Sequence, residues 1–155
     1  NDNFAYLTQT TLSLDDTKKI IEALKVRLPK IISSPKEDIC YATSNRQKAI
    51  KEYAQMCDAF IVVGSSNSSN SNRLVEVAKN AGCENSILLE NEDNLNVKDY
   101  ELMTSIGISS GASVPDILVK KVINKFAEFY QVTIEELSLG NENVTFKLPK
   151  ELRVG

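Results

Sequence analysis

The sequence contains no histidine among its 155 residues. This absence removes the most common general base and metal ligand from the chemistry open to the chain. Long apolar runs are also missing, since a stretch such as Ala59 to Val63 is far too short to span a bilayer. The amino terminus lacks the basic-then-apolar order of a signal peptide. We therefore expect a cytoplasmic protein.

Charge and cysteine content narrow the class further. Eighteen basic and twenty-one acidic residues give a formal charge of −3, with no lysine or arginine block that would indicate a nucleic-acid surface. The three cysteines form no close pair, which favours reduced thiols over a disulfide framework. An apolar content of 42% is enough for one ordinary globular domain, or for one domain and part of another.

The order of apolar segments predicts an α/β fold. Residues 59–63 form a continuous β-branched run, typical of a strand buried on both faces of a parallel sheet. We expect further strands at 87–89 and 106–109, and short extended segments at 4–7 and 39–42. Helical periodicity between these segments predicts a small parallel sheet flanked by helices.

Capping residues predict where the helices begin and end. Ser13 should cap the first helix, Ser44 or Asn45 the second, and Ser113 the last. Gly82 follows the last apolar position of the third helix, where a left-handed residue is usual.

Four turns that follow apolar runs carry small hydroxyl, amide or thiol side chains and almost no charge. In an open α/β sheet the carboxyl ends of the strands face one crevice, so distant turns converge on one ligand. The turns are Thr8 to Ser13, Cys40 to Asn45, Gly64 to Asn72 and Ser109 to Ser113. Their convergence is the main functional prediction.

The turn from Gly64 to Asn72 would suit a phosphate or diphosphate. A helix amino terminus offers unpaired N–H groups, and glycine, serine and asparagine add donors without bulk. Composition alone favours a solvated linker instead. The position of the turn, between a buried strand and the helix that continues from it, favours a ligand. Both interpretations stay open from this turn alone.

The cysteines differ in position. Cys40 follows Ile39 at the end of a predicted strand and could present a thiolate to the crevice, although a lone cysteine more often serves packing. Cys57 and Cys83 fall in ordinary helix-to-strand connections, away from the predicted crevice. Thr10 and Ser113, taken singly, could be purely structural.

Five motifs in order resemble the carboxyl-terminal half of the LytB-type hydroxymethylbutenyl diphosphate reductases, iron–sulfur enzymes of the methylerythritol phosphate route to isoprenoids. The similarity covers essentially the whole chain. The motifs are TQTTLS at 8–13, ICYATSNRQ at 39–47, VVGSSNSSNSNRL at 62–74, GASVPD at 111–116 and LPKELRV at 148–154.

The resemblance implies roles for particular residues. Cys40 would be one of three cysteines that hold a 4Fe–4S cluster, whose fourth iron is left open to the substrate hydroxyl. The other two cysteines would lie upstream. The positions that match the family's diphosphate ligands are Ser68, Ser69, Asn70 and Ser113, with Thr10 nearer the substrate hydroxyl.

The resemblance also implies a reaction and partners. Family members reduce 4-hydroxy-3-methylbut-2-enyl diphosphate with two electrons and two protons, expel water and form isopentenyl and dimethylallyl diphosphates. Ferredoxin or flavodoxin would supply the electrons. The family's histidines and its proton-relay glutamate lie in the amino-terminal half, so this chain alone is expected to be inactive and to lack an intact cluster.

In the family three α/β units surround the cluster, and about one and a half would be present here. Residues 1–35 would end the second unit, 36–131 would form the third, and 132–155, with a weak strand at 144–148, would cross back toward the first. Surface meant for the absent unit would then be exposed, and we expect self-association through it. The alternative is a non-catalytic α/β module that binds a phosphorylated small molecule or a partner protein. A structural subunit without a ligand is a third, less favoured, possibility.

Overall fold

The computed structural model describes residues 4–34 and 39–137. Three strands and four α-helices make up the regular structure of these residues, with short 3₁₀ turns at 54–56, 92–94 and 97–100. In chain order the elements are α1 (Leu14–Arg27), α2 (Tyr41–Tyr53), β1 (Ala59–Val63), α3 (Ser69–Asn80), β2 (Ser86–Leu89), β3 (Ile106–Ser110) and α4 (Asp116–Ala127).

The three strands form a parallel sheet in the order β2-β1-β3. The chain passes from β1 through α3 to β2, and then returns across β1 to β3 on its other side. The predicted α/β class and all three predicted strands are therefore confirmed, with small shifts in their ends.

Strand β1 is buried along its whole length because helices cover both faces of the sheet. Ala59, Ile61 and Val63 point to one face, where Val122 and Phe126 of α4 pack. Phe60 and Val62 point to the other face, in a cluster that includes Ile50 of α2 and Leu74 and Ala78 of α3. Side chains that alternate across a strand thus supply two separate cores.

The same packing fixes the direction of the helices. Helix α2 ends just before β1 begins, and α3 begins just after β1 ends, while both pack on one face of the sheet. Helix α4 likewise follows the carboxyl end of β3 and packs on the opposite face. The amino-terminal ends of all three helices therefore lie at the edge of the sheet where the strands end.

Two predicted helix ends are confirmed, the start of α1 and the end of α3. The Ser13 hydroxyl oxygen caps α1 by accepting a hydrogen bond from the Asp16 N–H at 3.3 Å. Gly82, beyond the end of α3, has a φ of 108°, a conformation that side chains with a Cβ rarely adopt.

Other local predictions were wrong. Residues 4–7 form no strand, only one isolated bridge between Ala5 and Ile32. The predicted extended segment at 39–42 forms no strand, since α2 begins at Tyr41 and has Cys40 at its N-cap position rather than Ser44 or Asn45. The apolar run there is too short to distinguish a strand from a helix. Ser113 does not cap α4 as predicted, because the N-cap position is occupied by Pro115, two residues later.

Some predictions lie outside the described residues. The strand at 144–148, the motif at 148–154 and most of the proposed tail at 132–155 belong to this group. The proposed boundary between residues 35 and 36 also falls there, so the division of the chain into units stays a prediction.

Candidate functional site

The first two turns meet at a backbone hydrogen bond. The Cys40 N–H donates to the Thr10 carbonyl at 3.3 Å, which holds the thiol-bearing residue beside the predicted threonine. Cys40 is a free, exposed cysteine, and its carbonyl accepts hydrogen bonds from the N–H groups of Thr43 and Ser44. The first turn of α2 is therefore fixed in place, while its cysteine side chain stays accessible.

A buried glutamine fastens these two turns together. The Gln47 side chain, 3% exposed, accepts from the Leu14 N–H at 3.0 Å and donates to the Leu12 carbonyl at 2.8 Å. One amide thus satisfies a donor and an acceptor on either side of the Ser13 cap. Residues 4–34 are held to α2 by this double contact.

The third and fourth turns meet at the switch point of the sheet. The chain order reverses between β1 and β3, and ligands of open α/β sheets bind in the crevice at such a point. Gly64 follows β1 and Gly111 follows β3, and the Gly111 N–H donates to the Val63 carbonyl at 3.0 Å. Two glycines therefore line the crevice.

One small side chain fills the space between these glycines. Ser71, on the first turn of α3, is 1% exposed. A Cβ added to either Gly64 or Gly111 would overlap the Ser71 hydroxyl oxygen, and Val114 lies within 4 Å of both positions. Glycine is required at both positions because the two turns and the helix approach so closely.

Ser68 caps the same helix. Its hydroxyl oxygen accepts hydrogen bonds from the Ser71 N–H at 3.2 Å and from the Ser71 hydroxyl at 3.1 Å. Asn72 strengthens the turn, since its side-chain amide donates to the Ser66 carbonyl at 2.7 Å and to the Ser68 carbonyl at 3.0 Å. The turn is therefore an ordered structure, unlike a solvated linker.

Asn70 has an unusual environment. The side chain is 9% exposed, and neither its oxygen nor its nitrogen has a hydrogen-bond partner among the described residues. Burying an amide without a partner costs free energy, so such groups in folded proteins call for an explanation. Asn70 lies on the first turn of α3, close to the crevice. A ligand at this position would satisfy the amide.

The electrostatics of the crevice come from the backbone. Helices α2, α3 and α4 present their amino-terminal ends to it, and each carries partial positive charge there. One carboxylate lies at the side: Glu90 accepts from the Ser66 N–H at 2.9 Å and from the Ser66 hydroxyl at 2.7 Å. These hydrogen bonds lower the pKa of Glu90. The three helix ends could therefore bind an anion through backbone N–H groups, without bulky charged side chains.

The predicted site residues thus form two local groups on one edge of the sheet. Thr10 and Cys40 form the first group, and Ser68, Ser69 and Asn70 with the turn that carries Ser113 form the second. Helix α2 packs against α3 and connects the groups. Thr10, Ser69 and Ser113 are exposed and Ser68 is partly exposed, so their hydroxyls are accessible.

Cys57 and Cys83 lie at the opposite edge, where the strands begin. The Cys83 thiol donates to the Cys57 carbonyl, and the Cys57 thiol donates to the Tyr53 carbonyl, each at 3.4 Å. Burial raises the pKa of the Cys57 thiol, which disfavours the reactive thiolate. This position agrees with the prediction that both cysteines lie away from the crevice.

A separate cleft of about 550 Å³ lies between α1 and α2. Its lining combines apolar side chains such as Ile21, Ile39 and Val77 with four lysines. None of the six predicted site residues lines this cleft, although Thr8 and Ser13, the two ends of the first turn, do.

Sequence reasoning missed two residues that shape the site, Ser71 and Gln47. The Ser68–Ser71 spacing of three residues is that of a helix cap, and this signal was present in the motif. Gln47 gave no signal, because its partners Leu12 and Leu14 are more than thirty residues away along the chain.

Two kinds of feature are absent from residues 4–34 and 39–137. No group of three or more histidine, cysteine, aspartate or glutamate side chains there could hold a metal ion. No helix in the same residues is long and apolar enough to cross a membrane.

Comparison with known proteins adds independent information. The family model described as LytB protein matches residues 1–127. The chain is 50% identical over 151 residues to 4-hydroxy-3-methylbut-2-enyl diphosphate reductase of Methylocella silvestris, a match that covers 97% of the chain and 47% of that relative. It is also 50% identical to the reductase of the same name from Corynebacterium glutamicum, with 97% and 46% covered.

Solved structures agree with these matches. The E-1-hydroxy-2-methyl-but-2-enyl-4-diphosphate reductase of Plasmodium falciparum superposes with a TM-score of 0.89 at 37% identity, over 97% of this chain and 48% of that one. A structure of (E)-4-hydroxy-3-methyl-but-2-enyl diphosphate reductase gives a TM-score of 0.56 at 27% identity, with 83% and 45% covered. The chain spans about half the length of the curated relatives it matches.

Proposed function

Because the chain belongs to the LytB family, we propose that it supplies about half of a 4-hydroxy-3-methylbut-2-enyl diphosphate reductase. In this proposal the chain binds the diphosphate of the substrate and contributes one cysteine to the redox centre. The reaction adds two electrons and two protons to the substrate, releases water and yields isopentenyl and dimethylallyl diphosphates. The histidines and the glutamate that serve proton transfer in the family would come from outside these residues.

The buried amide of Asn70 carries this proposal. An asparagine side chain offers both a donor and an acceptor, and here neither is used within the described residues. The amide lies on the first turn of a helix whose amino terminus points into the crevice. Diphosphate oxygens are acceptors, so the Asn70 N–H₂ group would donate to them and recover the cost of burial.

The accessible hydroxyls would complete the diphosphate site. Ser68 and Ser69 flank Asn70 at the start of α3, and Ser113 lies in the turn packed against that helix through Gly111. Neutral donors bind an anion at a helix amino terminus without the bulk of lysine or arginine. Thr10 lies beside Cys40 and would face the substrate hydroxyl.

Cys40 fits the role of one thiolate ligand of a 4Fe–4S cluster. It is exposed, takes part in no disulfide, and is the N-cap residue of α2. When bound, such a cluster supplies the electrons for the reduction, and two more cysteines from outside this chain would complete its protein ligands. Ferredoxin or flavodoxin would deliver the electrons in the cytoplasm.

A chimera tests the proposal directly. The matching half of the Methylocella silvestris reductase is replaced with this chain, and reduction of 4-hydroxy-3-methylbut-2-enyl diphosphate is measured anaerobically after cluster reconstitution. We expect turnover, and we expect Cys40→Ser to abolish it and to lower the bound iron. Cys57→Ser and Cys83→Ser are matched controls that should keep both, because these thiols lie at the other edge of the sheet. A folded, reconstituted chimera without turnover that still binds pyrophosphate would instead support a non-catalytic module.

A further inference from the structure

We propose that Ser71 is a positioning residue that turns the Ser68 hydroxyl into a dedicated hydrogen-bond donor for the diphosphate. The inference rests on the proposed function and adds a residue whose side chain is buried and does not itself contact the substrate. Two observations carry it: the hydrogen bonds between the two serines and the close packing around Ser71.

Burial and hydrogen bonding together favour one direction for the Ser68 proton, because the enclosed Ser71 hydroxyl has Ser68 as its hydrogen-bond acceptor. A serine hydroxyl has one proton to donate and two lone pairs to accept with. The Ser68 oxygen already accepts from the Ser71 N–H at 3.2 Å and from the Ser71 hydroxyl at 3.1 Å. Both lone pairs are then occupied, and the Ser68 proton is left to point away from Ser71, toward the accessible side of the residue.

The packing around Ser71 keeps this arrangement in place. The side chain is 1% exposed and lies between Gly64 and Gly111, which follow the two strands that border the crevice. With its hydroxyl against two glycine backbones, Ser71 has little space for another rotamer. The Ser71 proton therefore stays directed at Ser68, and the Ser68 proton stays available to a ligand.

An anion needs donors and gains nothing from acceptors. Without Ser71, the Ser68 hydroxyl could rotate and lose its preferred direction, and part of its donor strength would be lost. The buried Ser71 would thus orient the hydroxyl of the partly exposed Ser68, three residues before it. This hydrogen bond would be made equally in the bound substrate and in the transition state, so we expect its loss to raise KM and leave kcat unchanged.

Kinetics of the chimera described above provide the first test. We expect Ser71→Ala to raise KM for the allylic diphosphate by about three- to tenfold, the range for one hydrogen bond, with kcat unchanged. The same substitution in a Ser68→Ala background should have no further effect on KM, because Ser71 acts through Ser68. An unchanged KM in Ser71→Ala, or an equal additional loss in the Ser68→Ala background, would overturn the inference.

A size-exchange variant separates positioning from packing. Gly111→Ala should destabilise the 155-residue chain, since the new methyl group overlaps the Ser71 hydroxyl. Combining it with Ser71→Ala removes the overlap and refills the space, because the Ser71 Cβ lies 3.7 Å from the new Cβ, an ordinary contact distance. The double variant should therefore regain most of the thermal stability lost in Gly111→Ala.

The chimera with both substitutions then gives the decisive reading. If the Ser71 hydroxyl orients Ser68, KM stays raised although stability has returned. If Ser71 only fills space, KM returns to the wild-type value together with stability, and the inference is wrong. Lack of turnover in the unsubstituted chimera would count against the proposed function, whereas turnover with normal KM in Ser71→Ala would count only against the role of Ser71.

Discussion

A single residue shows most clearly the conflict between stability and function in this chain. The Asn70 amide is buried without a partner among the described residues, which costs about 1–3 kcal/mol. Selection for stability alone would place an apolar side chain at this position. We propose that a ligand which restores the missing hydrogen bonds is the reason for an amide at this position.

Replacing Asn70 with leucine tests this conflict. Asn70→Leu should leave the free energy of unfolding unchanged or raise it by about 1 kcal/mol, as measured by urea denaturation, because an unpaired polar group is removed. The same substitution should raise KM in the chimera more than tenfold. Asn72→Leu is the matched control: its amide makes two hydrogen bonds to backbone carbonyls, so the chain should lose about 1 kcal/mol or more. Greater destabilisation by Asn70→Leu than by Asn72→Leu would contradict this view of Asn70.

Asp58 provides a pH-dependent residue far from the crevice. Its carboxylate accepts from the N–H groups of Thr104 and Ser105 at 2.8 and 3.0 Å and from their hydroxyls. These hydrogen bonds hold the pKa of Asp58 below its ordinary value of 3.8. The folded state therefore gains stability from Asp58 above that value and loses it as pH falls through the lowered pKa.

We accordingly expect Asp58→Asn to reduce the fall in Tm that acid causes. Melting curves between about pH 5 and pH 2 should show a smaller decrease for the variant than for the wild-type chain. The two slopes would be equal if the hydrogen bonds to Thr104 and Ser105 did not form in solution.

At the scale of elements, the strands were the most predictable part. Residues 59–63 combine β-branched composition with a continuous apolar run, and such a run has few alternatives to a buried strand. The start of α2 was not predictable in the same way. Its first apolar residues are as compatible with an extended segment as with a helix, and the Cys40 and Gln47 hydrogen bonds that hold this turn reach residues about thirty positions away along the chain.

The attachment of α1 to α2 rests on Gln47, which gives an element-scale prediction. Gln47→Leu removes both hydrogen bonds and leaves the Leu14 N–H and the Leu12 carbonyl without their partner. We expect a loss of about 2–3 kcal/mol in the free energy of unfolding and faster proteolytic cleavage within residues 4–34. Lys48→Leu, at an exposed neighbouring position, is the control and should change neither. Unaltered proteolysis in Gln47→Leu would mean that α1 is held by other contacts.

At the scale of the whole molecule, the apolar surface is unevenly distributed. Five large apolar side chains in residues 4–34 are between 49% and 82% exposed: Phe4, Leu7, Ile20, Val26 and Ile32. The chain spans about half the length of its relatives, and we propose that part of this surface is meant for residues outside the chain. When the 155-residue chain is studied alone, a second copy would cover the same surface.

Sedimentation over a wide concentration range tests this expectation. The chain should show reversible self-association, and Val26→Asp should weaken it because a charge then replaces an 82% exposed apolar side chain. Leu102→Asp, at a 92% exposed leucine outside residues 4–34, should leave association unchanged. A monomer at all concentrations would contradict the expectation.

The relation between the turns was predictable as a topology but not as a set of contacts. Strand order and direction follow from the alternation of elements, and they place every carboxyl-terminal turn at one edge. The close fit of Gly64, Ser71 and Gly111 depends on packing between elements that are distant in sequence. Sequence patterns therefore indicated the polar residues of these turns more readily than the buried Ser71 that packs between them.

Our central proposal is that the turns bearing Asn70 and Cys40 border one ligand crevice, so that an anion held at Asn70 limits access to Cys40. Its most direct test is the rate at which iodoacetamide alkylates Cys40 in the 155-residue chain, with and without inorganic pyrophosphate, and with sulfate at equal ionic strength as control. We predict that pyrophosphate slows alkylation of Cys40 in a saturable way, leaves Cys57 unaffected, and loses its effect in Asn70→Ala. Calorimetric binding of pyrophosphate without any protection of Cys40, or equal protection in Asn70→Ala, would contradict the account.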